Sequence, residues 1–169
     1  MKKRQLIITL IFAFCTWNNS YPQDKIQKTD TLNLLISTAK ENNKKLFLVF
    51  GWEGCGWCRR LEKYHNDPKV KNILDKHFII SYIDIYQSAN GQDLFKRYGK
   101  GGTPSWTIFD SEGSIVVDSD LGKGNIGYPA TQDELNSYIT AIKKAVPNLD
   151  QSDCDVLSGK LIEYRTKRD

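Results

Sequence analysis

Gly51-Trp52-Glu53-Gly54-Cys55-Gly56-Trp57-Cys58-Arg59-Arg60-Leu61-Glu62 places a Cys-x-x-Cys pair directly after a short apolar run, Leu46-Phe47-Leu48-Val49-Phe50. That run is too short for a buried helix and reads as a strand covered on both faces, the central strand of a sheet. A helix is expected to start near Cys55 and to carry Arg59, Arg60, Leu61 and Tyr64. A disulfide across so small a ring stabilises a fold little, so the pair points to chemistry before scaffolding.

Working outward, Asp30 reads as the N-cap of a helix over 31–42, with Leu32, Leu34, Leu35, Ile36 and Ala39 at roughly helical spacing. Asp67-Pro68 offers an N-cap with Pro at the first helical position, opening a helix through Val70, Ile73 and Leu74. Residues 78–83 read as a strand and 92–98 as a short helix stopped by Gly99. Strands over 105–109 and 114–118 flank Asp110-Ser111-Glu112-Gly113, a hairpin loop, and should be antiparallel neighbours. The Gly-rich stretch 122–129 has no phosphate-loop pattern and reads as a surface loop. Thr131 and Glu134 form a capping box for a last helix, with Leu135, Tyr138, Ile139 and Ile142 buried and Pro147 beyond its end. Lys160–Asp169 reads as a frayed tail.

Helix, strand, helix, strand, helix, two strands and a helix, with Cys-x-x-Cys after the first strand, is a thioredoxin-like layout. The segment 51–62 resembles the active-site segment of the thioredoxin superfamily, and Gly102-Thr103-Pro104-Ser105 resembles its cis-proline loop. Glu62-Lys63-Tyr64 with Asn66-Asp67-Pro68-Lys69-Val70, and Gly127-Tyr128, are similar to the periplasmic C-terminal domain of the transmembrane thiol:disulfide interchange proteins. The resemblance covers roughly 31–146 and implies an α/β thioredoxin fold, a mixed sheet of four or five strands flanked by helices.

The chemistry fits the spacing. A thiolate attacks a disulfide, and unpaired N–H groups at a helix N-terminus favour the thiolate, so Cys55 is the nucleophile. Cys58, about one turn on, is placed to resolve the mixed disulfide. Pro104, cis as the resemblance implies, would leave the Thr103 backbone to pair with an extended substrate. Trp52 and Trp57 are candidate substrate surfaces. Two departures stand out: Val49 occupies the place of a buried Asp in thioredoxins, and Gly54 that of the usual aromatic residue. Glu53 is the nearest carboxylate, either a proton acceptor or a solvated loop residue. Arg59 and Arg60 either favour the Cys55 thiolate or are solvated.

The 169 residues carry 24 Lys+Arg and 20 Asp+Glu, a formal charge of +4. Three of the cations, Lys2, Lys3 and Arg4, precede a nine-residue run from Leu6 to Phe14 and polar residues beyond it, the pattern of a signal peptide over 1–22. The run is far short of the ~20 apolar residues that span a bilayer. Removing those three cations leaves 21 against 20, a balance of +1 that excludes a nucleic-acid footprint. The expected organisation is a signal peptide (1–22), a thioredoxin-like domain (23–150) and a C-terminal extension (151–169). The expected location is periplasmic or otherwise extracytoplasmic; Phe12 and Phe14 beside Cys15 do not match a lipid-attachment site, which leaves an anchor through Cys15 as the alternative. Cys154, between acidic neighbours, reads as a passive or partly buried thiol. Cys58, His65 and His77 are too widely spaced for a compact zinc site, so no metal and no cofactor beyond the Cys55-Cys58 disulfide is expected, the histidines taking ordinary places at a helix surface and a strand start. The reading is a monomeric thiol:disulfide oxidoreductase acting on protein thiols and disulfides in the reducing direction, recharged by a membrane electron donor. Its alternatives are an isomerase or oxidant, or a non-catalytic binding domain.

Overall fold

The computed structural model describes residues 30–122 and 124–166. The expected signal peptide over 1–22, with Cys15, lies outside them. Strand β1 (Lys45–Gly51) buries all five residues of its apolar run, and their alternation divides the core. Phe47 and Val49 enter one cluster, and Leu46, Leu48 and Phe50 enter the other. Helix α1 (Asp30–Glu41) covers the second cluster with Leu32 and Ala39, and α4 (Gly91–Tyr98) adds Leu94. The first is covered by α2 (Gly56–His65), α3 (Pro68–His77), α5 (Gln132–Ala145) and α6 (Gln151–Thr166). A central strand with helices on both faces must be apolar throughout, which is why 46–50 shows no alternation.

The sheet order is β2-β1-β3-β4, with β2 (Phe78–Asp84), β3 (Ser105–Phe109) and β4 (Ile115–Asp118). β1 runs parallel to β2 and antiparallel to β3, and β3 and β4 form the expected antiparallel hairpin. This is the thioredoxin fold, with four strands. Phe50 pairs with Ser105, so the motif that follows β1 and the Thr103-Pro104 turn that precedes β3 leave the sheet at the same end. Asp67 caps α3 by accepting from Lys69 N–H, and the capping box of Thr131 and Glu134 starts α5.

Two expectations fail. The described part of the expected frayed tail, Lys160–Thr166, is helical: α6 runs to Thr166 and buries Cys154, Leu157 and Leu161, one residue per turn. Tyr64 donates its hydroxyl to the Leu157 carbonyl at 3.2 Å, and Lys160 pairs with Asp67 at 3.1 Å. So narrow a seam, with Ile162 exposed outside it, gives no broad apolar stripe to read in sequence. Nor does His65 sit at a helix surface. It is 2% exposed, with Nδ1 2.6 Å from the Tyr82 hydroxyl and Nε2 2.9 Å from that of Tyr138.

Burial holds the His65 pKa down at about 3, so the imidazole is neutral at neutral pH. The unfolded chain, with a pKa of about 6.5, takes up a proton that the native state refuses, so stability is fully present above 6.5 and is lost as pH falls toward 3. At pH 5 the loss is about 2 kcal/mol. Denaturant unfolding of the wild type and His65→Gln at pH 7.5 and pH 5 is expected to show a pH dependence smaller by about that amount in the variant. Identical pH dependences would show that His65 is not buried neutral. Burial lowers His77 as well, in both proteins alike.

Candidate active site

Cys55 and Cys58 are joined in a disulfide with Cα atoms 5.2 Å apart. Cys55 is the N-cap of α2, in extended backbone conformation, and its Sγ accepts from Cys58 N–H at 3.1 Å. The cap position is usually held by a Ser, Thr, Asp or Asn oxygen that satisfies one of the first free N–H groups. Here sulfur takes that role, and on reduction the same N–H and the positive helix end face a Cys55 thiolate.

The two sulfurs differ in surroundings. Cys55 is 7% exposed, whereas Cys58 is half-buried and lines a cavity of about 330 Å³ with Glu53, Glu62, Tyr82 and Asp84. Val49, packed between Tyr82 and Trp106 in the sheet register, also lines it, so no carboxylate enters from β1. Gly51 packs close to that sulfur: a Cβ at 51 would lie 3.1 Å from Cys58 Sγ and press on it.

Of the carboxylates in that cavity, Asp84 accepts from the N–H groups of Gln87 and Tyr86, each at 2.8 Å, and these bonds hold its carboxyl below the usual range. It is thereby a weak base. Glu53 is exposed and takes a long bond from Gln87 Nε2 at 3.4 Å. Glu62 lies one turn beyond Cys58, and the i, i+4 relation puts both on one face of α2. That spacing was visible in the motif, though only the shared cavity shows that both residues face it. Burial, with Glu62 beside it, raises the Tyr82 pKa and keeps its hydroxyl protonated.

Trp52 and Trp57 are 42% and 49% exposed. The Trp52 indole lies over Gly54: a Cβ at 54 would be 2.0 Å from the ring. Trp52 thus fills the space next to Cys55 that a side chain at 54 would otherwise need. Its edge meets Tyr86, with ring centroids 5.8 Å apart. Trp57 stacks on Tyr128 with ring centroids 5.6 Å apart, and the Arg60 guanidinium lies over the Trp57 ring, 5.0 Å from its centroid. Arg59 donates to the Glu53 carbonyl at 2.8 Å. Both arginines therefore brace the motif.

The Thr103-Pro104 peptide is cis. Pro104 is buried and Thr103 half-buried. The turn connects to the cysteine helix through 127–128: Gly127, at φ +45°, packs so closely that a Cβ would meet the Pro104 carbonyl at 2.5 Å, and Tyr128 stacks on Trp57. The sequence-predicted residues Trp52, Glu53, Cys55, Trp57, Cys58, Thr103 and Pro104 therefore gather at one end of the sheet. Cys154 does not join them. It is a free, buried thiol in the α6 seam. Among the described residues, no group of three or more His, Cys, Asp or Glu side chains converges as a metal site, and no helix is long and apolar enough to cross a membrane.

Comparison with known proteins agrees with this geometry. An uncharacterized protein of Caenorhabditis elegans is 28% identical over 140 residues, 76% of this chain but 18% of that protein, so the chain spans under a fifth of its length. The solved structure of a disulphide isomerase from Xylella fastidiosa Temecula1 is 22% identical, with a TM-score of 0.51 over 82% of this chain and 95% of that one, a likeness of fold. The oxidised DsbD C-terminal domain of Neisseria meningitidis is 28% identical, covering 53% of this chain and 80% of that one, with a TM-score of 0.43. The thioredoxin-like domain family model matches residues 32–120. With that match and a Cys-x-x-Cys disulfide that fits thiol:disulfide oxidoreductases, the chain belongs to the thioredoxin-like domain family.

Proposed function

We propose that this protein is an exported thiol:disulfide oxidoreductase that reduces protein disulfides outside the cytoplasm. The observation that carries this reading is the Cys55-Cys58 disulfide at the N-cap of α2, with Cys55 Sγ already accepting a helix N–H. In the reduced protein the Cys55 thiolate attacks one sulfur of a partner disulfide. A mixed disulfide forms, and the partner's other sulfur leaves as a thiolate and takes up a proton. Cys58 then gives its proton to Glu53 or Glu62 and attacks Cys55 Sγ, which forms the internal disulfide and releases the second partner thiol. Two electrons pass to the partner, and a dithiol donor at the membrane returns them in the reverse exchange. Trp52 and Trp57 frame the cysteines as apolar contact surface, and the Thr103 backbone beside Pro104 pairs with an extended segment of the substrate. Export rests on the charge and apolar pattern of residues 1–22.

Insulin reduction by dithiothreitol tests the reading. The wild type is expected to accelerate it, and Cys55→Ser to fall to the rate of dithiothreitol alone. Equal rates for both proteins would leave the disulfide as a fixed feature of a binding domain. The reduction potential of the pair then decides direction: a value near about −270 mV marks a reductant, and one near about −120 mV an oxidant.

A further inference from the structure

The segment between β4 and α5 looks in sequence like an inert surface loop, yet one of its side chains grips the cis-proline turn. Asn125 Nδ2 donates to the Gly102 carbonyl at 3.2 Å and to the Pro104 carbonyl at 3.0 Å, straddling the cis peptide. Its Oδ1 accepts from Gly127 N–H at 3.1 Å. Neither bond to the turn uses the Thr103 backbone, the group assigned above to substrate.

Asn125 is itself held. Its backbone bridges to Asp120, whose carboxylate accepts from Gly122 and Gly124 N–H, and Ile126 N–H donates to the Ser119 carbonyl at 2.9 Å. On the far side, Trp106 Nε1 donates to the Gly127 carbonyl at 2.9 Å, and Trp106 is fully buried. Residues 119–122 and 124–128 thus form a strap fastened to the core at both ends, with Asn125 as its contact to the turn. Two donors and an acceptor on one short planar group are what an amide supplies. An Asp at 125 would have nearly the same shape but would set a carboxylate against two carbonyl oxygens.

We propose that Asn125 is a positioning residue that holds the Gly102–Pro104 turn in register for an extended polypeptide, and so favours protein disulfides over small ones. A small disulfide reaches Cys55 without pairing along the chain. A protein substrate needs the Thr103 backbone where it can form a strand-like hydrogen bond, and losing that fixed placement weakens binding while leaving the sulfur chemistry intact. The inference rests on the oxidoreductase reading.

Steady-state reduction of insulin and of bis(hydroxyethyl) disulfide by the wild type, Asn125→Asp and Asn125→Ala, with thermal melts of all three, tests it. Both variants are expected to lose about tenfold in kcat/KM on insulin, the size of about one net hydrogen bond, mainly through KM. Their rates on the small disulfide are expected to stay within about twofold of wild type. Equal losses on both substrates, no loss on either, or variants that no longer fold would overturn the proposal, because each gives Asn125 a structural role or none. A wild type inactive on both substrates would instead remove the oxidoreductase reading itself.

Discussion

Cys58→Ser is expected to stop turnover and to accumulate a mixed disulfide between Cys55 and its substrate, whereas Cys55→Ser is expected to stop turnover with nothing trapped. The asymmetry follows from the cap. Cys55 Sγ sits where the first N–H groups of α2 converge, and its thiolate is stabilised by the helix end whether or not Cys58 carries sulfur. Cys58 lies one turn inside the helix, beside Gly51 and the Glu53-Glu62 cavity, and in the proposed reaction it attacks the mixed disulfide and ends it. Removing the resolving sulfur therefore freezes the reaction halfway. Non-reducing electrophoresis of each variant after reaction with a disulfide-bonded protein reads the result. Exposure alone would suggest the opposite assignment, since Cys55 is 7% exposed in the disulfide form and Cys58 is half-buried. Trapping by Cys55→Ser instead of Cys58→Ser would show that exposure, and not the cap, selects the nucleophile.

Leu157→Ala is expected to cost about 2–5 kcal/mol of stability and to lower the melting temperature by roughly 10 °C. Leu157 is fully buried, and its carbonyl takes the hydrogen bond of the equally buried Tyr64 hydroxyl on the helix that carries the cysteines. Truncating it leaves a cavity between α2, α3 and α6, where the core residues Tyr64, Val70 and Leu161 meet in one cluster. Calorimetry on wild type and variant is expected to show one transition in each, displaced as a unit. A small change, or a separate early transition for the C-terminal region, would mean that 151–166 is an extension added to a self-sufficient domain. The single transition would make it the last layer of that domain. Ile162→Ala on the exposed side of the same helix is the matched control.

Much of the fold could be read because its signals are local. The run 46–50 is apolar at every position because a central strand meets helices on both faces, and the Asp67-Pro68 and Thr131-Glu134 caps mark helix starts by hydrogen bonds spanning two or three residues. The cysteine spacing is local as well. α6 escaped notice because it fully buries only one small or apolar residue per turn, and such a seam has meaning only beside the surface it fits. His65 and Asn125 escaped for a related reason. Their partners are 17 and 73 residues away for one, and 21 and 23 for the other.

By itself, then, the sequence determined the layout of strands and helices and the position of the cysteines at a helix start, since each follows from contacts within a few residues; the cis turn at Thr103-Pro104 was implied by the resemblance to the thioredoxin superfamily. Only the tertiary structure decided which carboxylates share a cavity with Cys58, that Trp52 covers Gly54, that Asn125 grips the cis-proline turn, and that α6 packs into the core. Those depend on which surfaces meet when distant segments pack, and that is settled by the shape of the assembled core.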